Sequence, residues 1–462
     1  MKRKLVTRII SVAVASCMMA GMLTGCGSTG DSTGAGESTS GGGGETASEE
    51  GTGADAAEDA AAAESADTGS ADASGESVEV TFWTLNGRMD AIDPLTEEFN
   101  AAHDNIKVTV AYYDTDGIKD ACKVAAQAGT LPHMWFNWGG SLGQYYVDNG
   151  CTYDLTAYAE ENKWSDTFNA GALNLCTLGG QLSGYPTSYN VLGIYYRKDI
   201  FEQYDIAVPT TLDEFDAACA TLKENGIIPV STAGLYGWHV MRLLEQFVET
   251  YAGVELHDKM NSFEESWDNE AVVKAFTKYQ EYCEKGYFPD GFLTADPNDT
   301  IMATGSGTAA MDVQGQWYDG NILQNELDMN NFGWFPFPNG TGRMSAFAEM
   351  TQFNKNLSDA ELAACVEYMD YLYSEEATAQ YGQYYNLPLP RNDASMPEGQ
   401  PNVPEMIETS GKGGTFTITD QAFPTEVADV LFAAQDAIYG GTMTPEQAAS
   451  DVQAAIEAYL AK

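Results

Sequence analysis

Residues 78–138 read VEVTFWTLNGRMDAIDPLTEEFNAAHDNIKVTVAYYDTDGIKDACKVAAQAGTLPHMWFNW, and the hydrophobic period changes repeatedly along them. Val78, Val80 and Phe82 alternate with Glu79 and Thr81, the two-residue period of a strand. Ile92, Leu95, Phe99 and Ala102 follow at helical spacing, and Ile106, Val108 and Val110 alternate again. A helix over about Ile118 to Ala128, stopped by Gly129, leads to an apolar strand from Met134 to Trp138, then to a helix from Ser141 to Asp148 before Gly150. Strand, helix, strand, helix, strand at these intervals predicts a parallel α/β unit.

The same style continues beyond it. Thr211 with Glu214, Ser358 with Glu361, and Thr444 with Gln447 have capping-box spacing, the last with Pro445 at the first helical position. Gly226 is expected to end the first of these helices ahead of an Ile227–Val230 strand, and Asn269 to Glu284 reads as a helix with Val272, Val273, Phe276 and Tyr279 on one side. No internal repeat occurs at solenoid or propeller periods.

Upstream the chain changes character. Residues 1–26 contain Lys2, Arg3, Lys4 and Arg8, an apolar stretch from Leu5 to Met22, and small residues before Cys26, the layout of a secretory signal peptide over residues 1–25. Leu23-Thr24-Gly25-Cys26 resembles the lipobox of bacterial lipoproteins, which implies a diacylated Cys26 and stable anchoring to the outer face of the cytoplasmic membrane. From Gly27 to Ser77 there is no aromatic and no large aliphatic residue, so the segment is expected to be a disordered acidic tether. Lys and Arg number 22 and Asp and Glu 68, a net charge of −46 that would repel a nucleic acid. Over the whole chain such a balance favours a neutral or cationic ligand.

Catalytic and metal signals are sparse. The four histidines, 103, 133, 239 and 257, form no zinc-helix pair, and no metal or cofactor is expected. Beyond Cys17 and Cys26, six cysteines remain at 122, 151, 176, 219, 283 and 365, and their scatter in an apolar-cored domain reads as buried free thiols. Gly139-Gly140-Ser141-Leu142-Gly143 has the G-x-S-x-G form of a nucleophile elbow, which keeps a secreted serine hydrolase using Ser141 open. No histidine follows His257, however, so a glycine turn with Ser141 as helix N-cap explains the run better. Asp114-Thr115-Asp116-Gly117 and Asp296-Pro297-Asn298-Asp299 read as acidic turns, since neither extends to a full calcium loop.

From Val78 onward the chain resembles the extracellular solute-binding proteins that serve carbohydrate ABC importers, the family of maltose-binding protein. The resemblance is carried by Phe82-Trp83-Thr84, by Ala128-Gly129-Thr130-Leu131-Pro132, and by Gly184-Tyr185-Pro186 leading to Tyr195-Tyr196-Arg197-Lys198-Asp199. Val208-Pro209-Thr210-Thr211-Leu212-Asp213-Glu214-Phe215, Gly307 through Trp317, Leu387-Pro388-Leu389-Pro390 and Thr444-Pro445-Glu446-Gln447-Ala448 extend it over about 384 residues. His133 and Asn190 depart from it, standing where family members carry carboxylates. The resemblance implies an α/β, two-lobe periplasmic-binding-protein type II (Venus-flytrap) fold with discontinuous lobes, lobe 1 at about 78–190 and 346–393 and lobe 2 at about 191–345 and 394–462. It also implies a monomeric, non-enzymatic receptor that delivers a sugar or oligosaccharide to permease subunits, the same fold with a non-sugar solute being the alternative.

A pyranose offers an apolar C–H face and a rim of hydroxyls, so its site needs flat aromatic rings beside side chains that fork onto vicinal hydroxyls. Trp83, Asn86, Arg88 and Asp90 after the first strand, and Asn137 and Trp138 after the third, stand where open α/β sheets bind ligands. With Ser188, Tyr189, Asn190, Trp238, Gln314, Trp317, Glu349 and Arg391 they form the candidate ligand set, in which Trp317 is expected to stack on a sugar ring.

Overall fold

Strand β1 (Val78–Leu85) lies parallel to β2 (Ile106–Tyr113) in register from Val78 opposite Ile106 to Leu85 opposite Tyr113, and parallel to β3 (Met134–Trp138) through Phe82 and Met134. The inward residues Val80, Phe82 and Thr84 are buried, as the alternation requires. Helix α1 (Met89–Ala102) places Ile92, Leu95 and Phe99 in the core, and α2 (Thr115–Ala128) is capped by Asp114, which accepts from Gly117 N at 2.6 Å, and ended by Gly129 at φ 69°. These elements belong to a computed structural model that describes residues 77–386, 389–394, 396 and 399–462. The expected signal peptide, Cys26, the tether and the Leu387-Pro388 step lie outside the described residues.

A hairpin of β4 (Thr177–Leu178) and β5 (Gln181–Leu182) precedes β6 (Gly184–Arg197), a 14-residue strand that changes partner along its length. Its first half, Gly184 to Val191, runs antiparallel to β10 (Met344–Phe353), and its second half, Leu192 to Arg197, runs antiparallel to β8 (Ala309–Gly315) and β9 (Phe332–Phe335). Strand β7 (Ile228–Ser231) is parallel to β8, β11 (Thr415–Thr417) is parallel to β10, and β10 is antiparallel to β3. The order β2-β1-β3-β10-β6-β8-β7 makes β10 and β6 the only link along that path between the Val78–Trp138 unit and the β7-β8 pair.

Pro186 has no N–H for the ladder, and between Glu349 and Met350 the register with β6 slips, so that Glu349 faces Ser188 while Met350 faces Pro186. The capping boxes at Thr211 and Ser358 are complete. That at Thr444 is only half formed: Thr444 accepts from Gln447 N, but the Gln447 side chain donates to Asp451 instead. The N-cap before α3 (Ser141–Asp148) is Gly140 rather than Ser141, and Ser141 Oγ donates to the carbonyl of Asp420 at 3.1 Å. Cys122, Cys151, Cys176, Cys219, Cys283 and Cys365 are free thiols.

Away from the strand ends, a buried charge cluster ties the long helix Trp238–Asn261 to the entry of β10. Glu249 receives Arg343 Nε at 2.9 Å and Nη2 at 2.8 Å, His257 Nδ1 lies 2.6 Å away, and Thr341 donates its hydroxyl at 2.6 Å. Burial alone would raise the Glu249 carboxyl, yet the hydrogen bonds from Arg343, His257 and Thr341 bring it down to about 2. A depressed carboxylate contributes its stability above the ordinary value of 4.5 and loses it as pH falls toward about 2. Denaturant titrations should therefore show an acid loss of stability between those values that is shallower in Glu249→Gln. At neutral pH, Arg343→Met should cost about 3–5 kcal/mol, because it strands a buried carboxylate.

Candidate functional site

The carboxyl ends of β1 and β3, the middle of β10 and the end of β8 open onto one cleft of about 230 Å³, and here strand chemistry becomes site chemistry. On one wall Glu349 is 4% exposed and its carboxylate is fully occupied. Arg88 Nη2 lies 2.8 Å from Oε2, Ser188 Oγ donates to Oε2 at 2.9 Å, and Asn386 Nδ2 donates to Oε1 at 2.7 Å. Asn190 in turn donates to Ser188 Oγ at 2.8 Å. Arg88 also donates to the Tyr373 hydroxyl at 3.0 Å and lies over the Phe136 ring. Burial works against its charge, but Tyr373 and Glu349 outweigh it and hold the guanidinium above its ordinary pKa.

The facing wall is aromatic. Trp238 begins the Trp238–Asn261 helix, and Trp317 begins the Trp317–Gln324 helix directly after β8. The Trp317 indole folds back over Gly315, where a Cβ would overlap the ring, and tilts at 54° against Phe347 with centroids 5.5 Å apart. Its Nε1 donates to Gln314 Oε1 at 3.2 Å, and the same oxygen accepts from Arg242 Nη1 at 3.1 Å. The Arg242 guanidinium lies over both indoles, 4.6 Å from the centroid of Trp238 and 5.1 Å from that of Trp317. Lys119 lies 4.9 Å over Trp138 and 5.8 Å over Trp238, which draws the third indole into the same group.

Of the residues picked out in the sequence, Asn86, Arg88, Trp138, Trp238, Gln314, Trp317 and Glu349 line this cleft. Asp90 is at its edge, accepting from the Tyr384 hydroxyl at 3.3 Å. Ser188 and Asn190 stand behind Glu349, fully buried. Trp83 lies within β1 rather than beyond it and packs on Tyr113. Asn137 is turned inward, donating to Gln352 Oε1 at 2.8 Å and accepting from Trp138 N. Tyr189 lines a different cavity and bonds Thr415, because adjacent residues of a strand point to opposite faces. Arg391 pairs with Asp370 and Asp393 beside a third, small cavity.

Arg242, Phe347, Asn298 and the run Gln383 to Asn386 also line the cleft and were not picked out. Only Asn298 carried a local signal, the Asp296–Asp299 turn, and that turn had been read as structural alone. None of the hydrogen bonds of the four histidines reaches Ser141: His133 bonds Thr81, His103 bonds Phe99 O, His239 bonds Asp312 and Gln314, and His257 bonds Glu249. Among the described residues no group of three or more His, Cys, Asp and Glu could hold a metal ion.

The enclosed ion pair gives a stability test. In urea titrations of the ligand-free protein, Arg88→Met should lose about 3–5 kcal/mol, and Arg88→Met with Glu349→Met should recover most of it, since removing both charges leaves neither stranded.

Residues 95–406 match the model of a family described as bacterial extracellular solute-binding protein. A relative from Pyrococcus horikoshii, named as an uncharacterised ABC transporter extracellular-binding protein, is 26% identical over 255 residues, 54% of this chain and 58% of that one, so the match spans little more than half of the relative. The multiple sugar-binding protein of Streptococcus mutans is 22% identical over 322 residues, 66% of this chain and 73% of its own. Among solved structures, a chitin oligosaccharide binding protein superposes with a TM-score of 0.77 at 23% identity, covering 84% of this chain and 100% of that one, a likeness of fold. Matched across most of the elements that build the cleft, this chain belongs to the bacterial extracellular solute-binding proteins, two-lobe α/β receptors that bind a solute rather than transform it.

Proposed function

We propose that the chain is a lipid-anchored receptor that encloses a sugar or oligosaccharide between its two lobes and delivers it to an ABC permease. The observation that carries this reading is the pairing, in one cleft, of Trp138, Trp238, Trp317 and Phe347 with the forked polar groups of Asn86 and Asn386. Indole faces match the C–H face of a pyranose, and amide side chains match its vicinal hydroxyls. The names of the Streptococcus mutans relative and of the chitin oligosaccharide binding protein point to the same class of ligand.

Lobe 1 would comprise about 78–190 and 346–393, and lobe 2 about 191–345 and 394–462. The partner change on β6 after Val191 supports that division, with β6 and β10 as crossings about which the lobes close. Ligand contacts made from both lobes would supply the differential affinity for the closed form, which the permease distinguishes from the open one. Cys26 would anchor the mature chain, residues 27–77 serving as a tether dispensable for binding.

A thermal-shift panel of mono- and oligosaccharides tests the reading. A saccharide at one hundred times its Kd should add about 2.7 kcal/mol of stability, be recovered unchanged, and reduce the radius of gyration in solution scattering. Trp317→Ala should weaken binding by about thirtyfold with little change in ligand-free stability. Cys26→Ala should release the protein into the medium with its affinity intact. Steady conversion of a saccharide that is abolished by Ser141→Ala would support the hydrolase instead.

A further inference from the structure

The chain's charge of −46 does not extend into the cleft. Apart from tyrosines, the ionisable groups on the walls of the main chamber are Arg88, Arg242 and Glu349, so 2 − 1 leaves one positive charge. Arg88 and Glu349 neutralise each other at 2.8 Å, and the charge left on the chamber wall is that of Arg242.

Arg242 is 8% exposed, and it is the one arginine among the described residues with no carboxylate in ion-pair range: Arg88, Arg197, Arg343 and Arg391 all have one. Its contacts are neutral. Nη1 donates to Gln314 Oε1 and, at 3.4 Å, to the Val313 carbonyl, while Nε is buried without a partner. Both indoles lie within cation–π range of the planar group. Burial pushes its pKa down to about 10, which leaves it charged at neutral pH. Asp420, Asp312 and Glu245 favour that charge from beyond ion-pair range, so it is only partly compensated, and a ligand anion in contact would lower the remaining cost.

The other charges nearby do not supply that anion. Arg242 also borders a smaller adjoining chamber with Lys119 and Asp420. Lys119 is paired with Asp116 at 3.0 Å, and Asp420, the carboxylate that acts most on Arg242, lies off the main chamber's wall and makes no ion pair with it. Asp312 is engaged by His239 at 3.0 Å, and Glu245 accepts from Thr419, its carboxyl raised by burial to about 8 and so largely protonated at neutral pH.

We propose that the saccharide taken by this cleft carries a carboxylate, as a uronic acid does, and that this carboxylate docks on Arg242. The proposal rests on the saccharide reading above and narrows it. The one positive charge left on the chamber wall matches a single negative charge, and guanidinium matches carboxylate in plane and in donor spacing. A phosphate monoester, near −2, would leave one charge unmet.

Calorimetry on the full chain with matched pairs decides it: galacturonate against galactose and glucuronate against glucose, as monomers and as 1,4-linked trimers, with glucose 6-sulfate and glucose 6-phosphate as further arms. The acid of at least one pair should bind more than about tenfold tighter than its neutral partner, and Arg242→Met should abolish that preference. Should the variant fold poorly, the pairs on the natural chain decide alone. Neutral sugars that bind as well as their acids overturn the inference and leave the saccharide reading standing, whereas no binding by either class overturns both. Tighter binding of the sulfate or phosphate ester than of any carboxylate overturns the choice of anion.

Discussion

A carboxylate buried on the middle strand of a sheet must be satisfied completely, and meeting the demands of Glu349 fixes much of the molecule. Its donors come from three distant places: Arg88 after β1, Ser188 on β6 and Asn386, which follows the short helices Glu375–Tyr381 and Gly382–Tyr384 well beyond β10. Ser188 stands opposite Glu349 at the last pair before the register slips beside Pro186. One polar junction thereby joins the end of the first strand to both crossing strands, at the floor of the cleft. The lost donor of a proline and the cost of an unpaired charge together determine the shape of the site.

The second constraint is electrostatic and local. A chain with three times as many acids as bases repels polyanions, but that balance does not set the potential inside a cleft. There the cations sit over indole rings, Lys119 over Trp138 and Arg242 over Trp238 and Trp317, where the π faces partly replace lost water. The same rings that would receive a sugar thus also hold the charge that selects it. A ligand preference read from whole-chain charge alone, neutral or cationic, averages over a surface that the ligand never meets.

Much of the fold was legible in the sequence because it is written in short periods. The alternation of Val78, Val80 and Phe82, the spacing of Ile92, Leu95 and Phe99, the caps at Thr211 and Ser358 and the stop at Gly129 each depend on residues a few positions apart. Trp138, Trp238, Gln314 and Trp317 could be picked out as a set because a resemblance pointed to them and because they stand at ends of strands or starts of helices. Asn137 was as plausible as its neighbour, but its amide is engaged by Gln352, 215 positions away, and no local pattern announces that bond.

The sequence by itself determined the alternating α/β elements, their caps, and the supply of aromatic and polar residues at strand ends, since propensity and periodicity act over a few residues. Tertiary structure alone decided which of those side chains face the cleft and which are consumed behind it. Adjacent strand residues part to opposite faces, so Tyr189 leaves the site while Ser188 and Asn190 remain behind its wall. Arg242 enters because the start of one helix is carried against a strand some seventy residues later. Burial and hydrogen bonding depend on partners brought together from afar, and that pairing is a property of the folded chain.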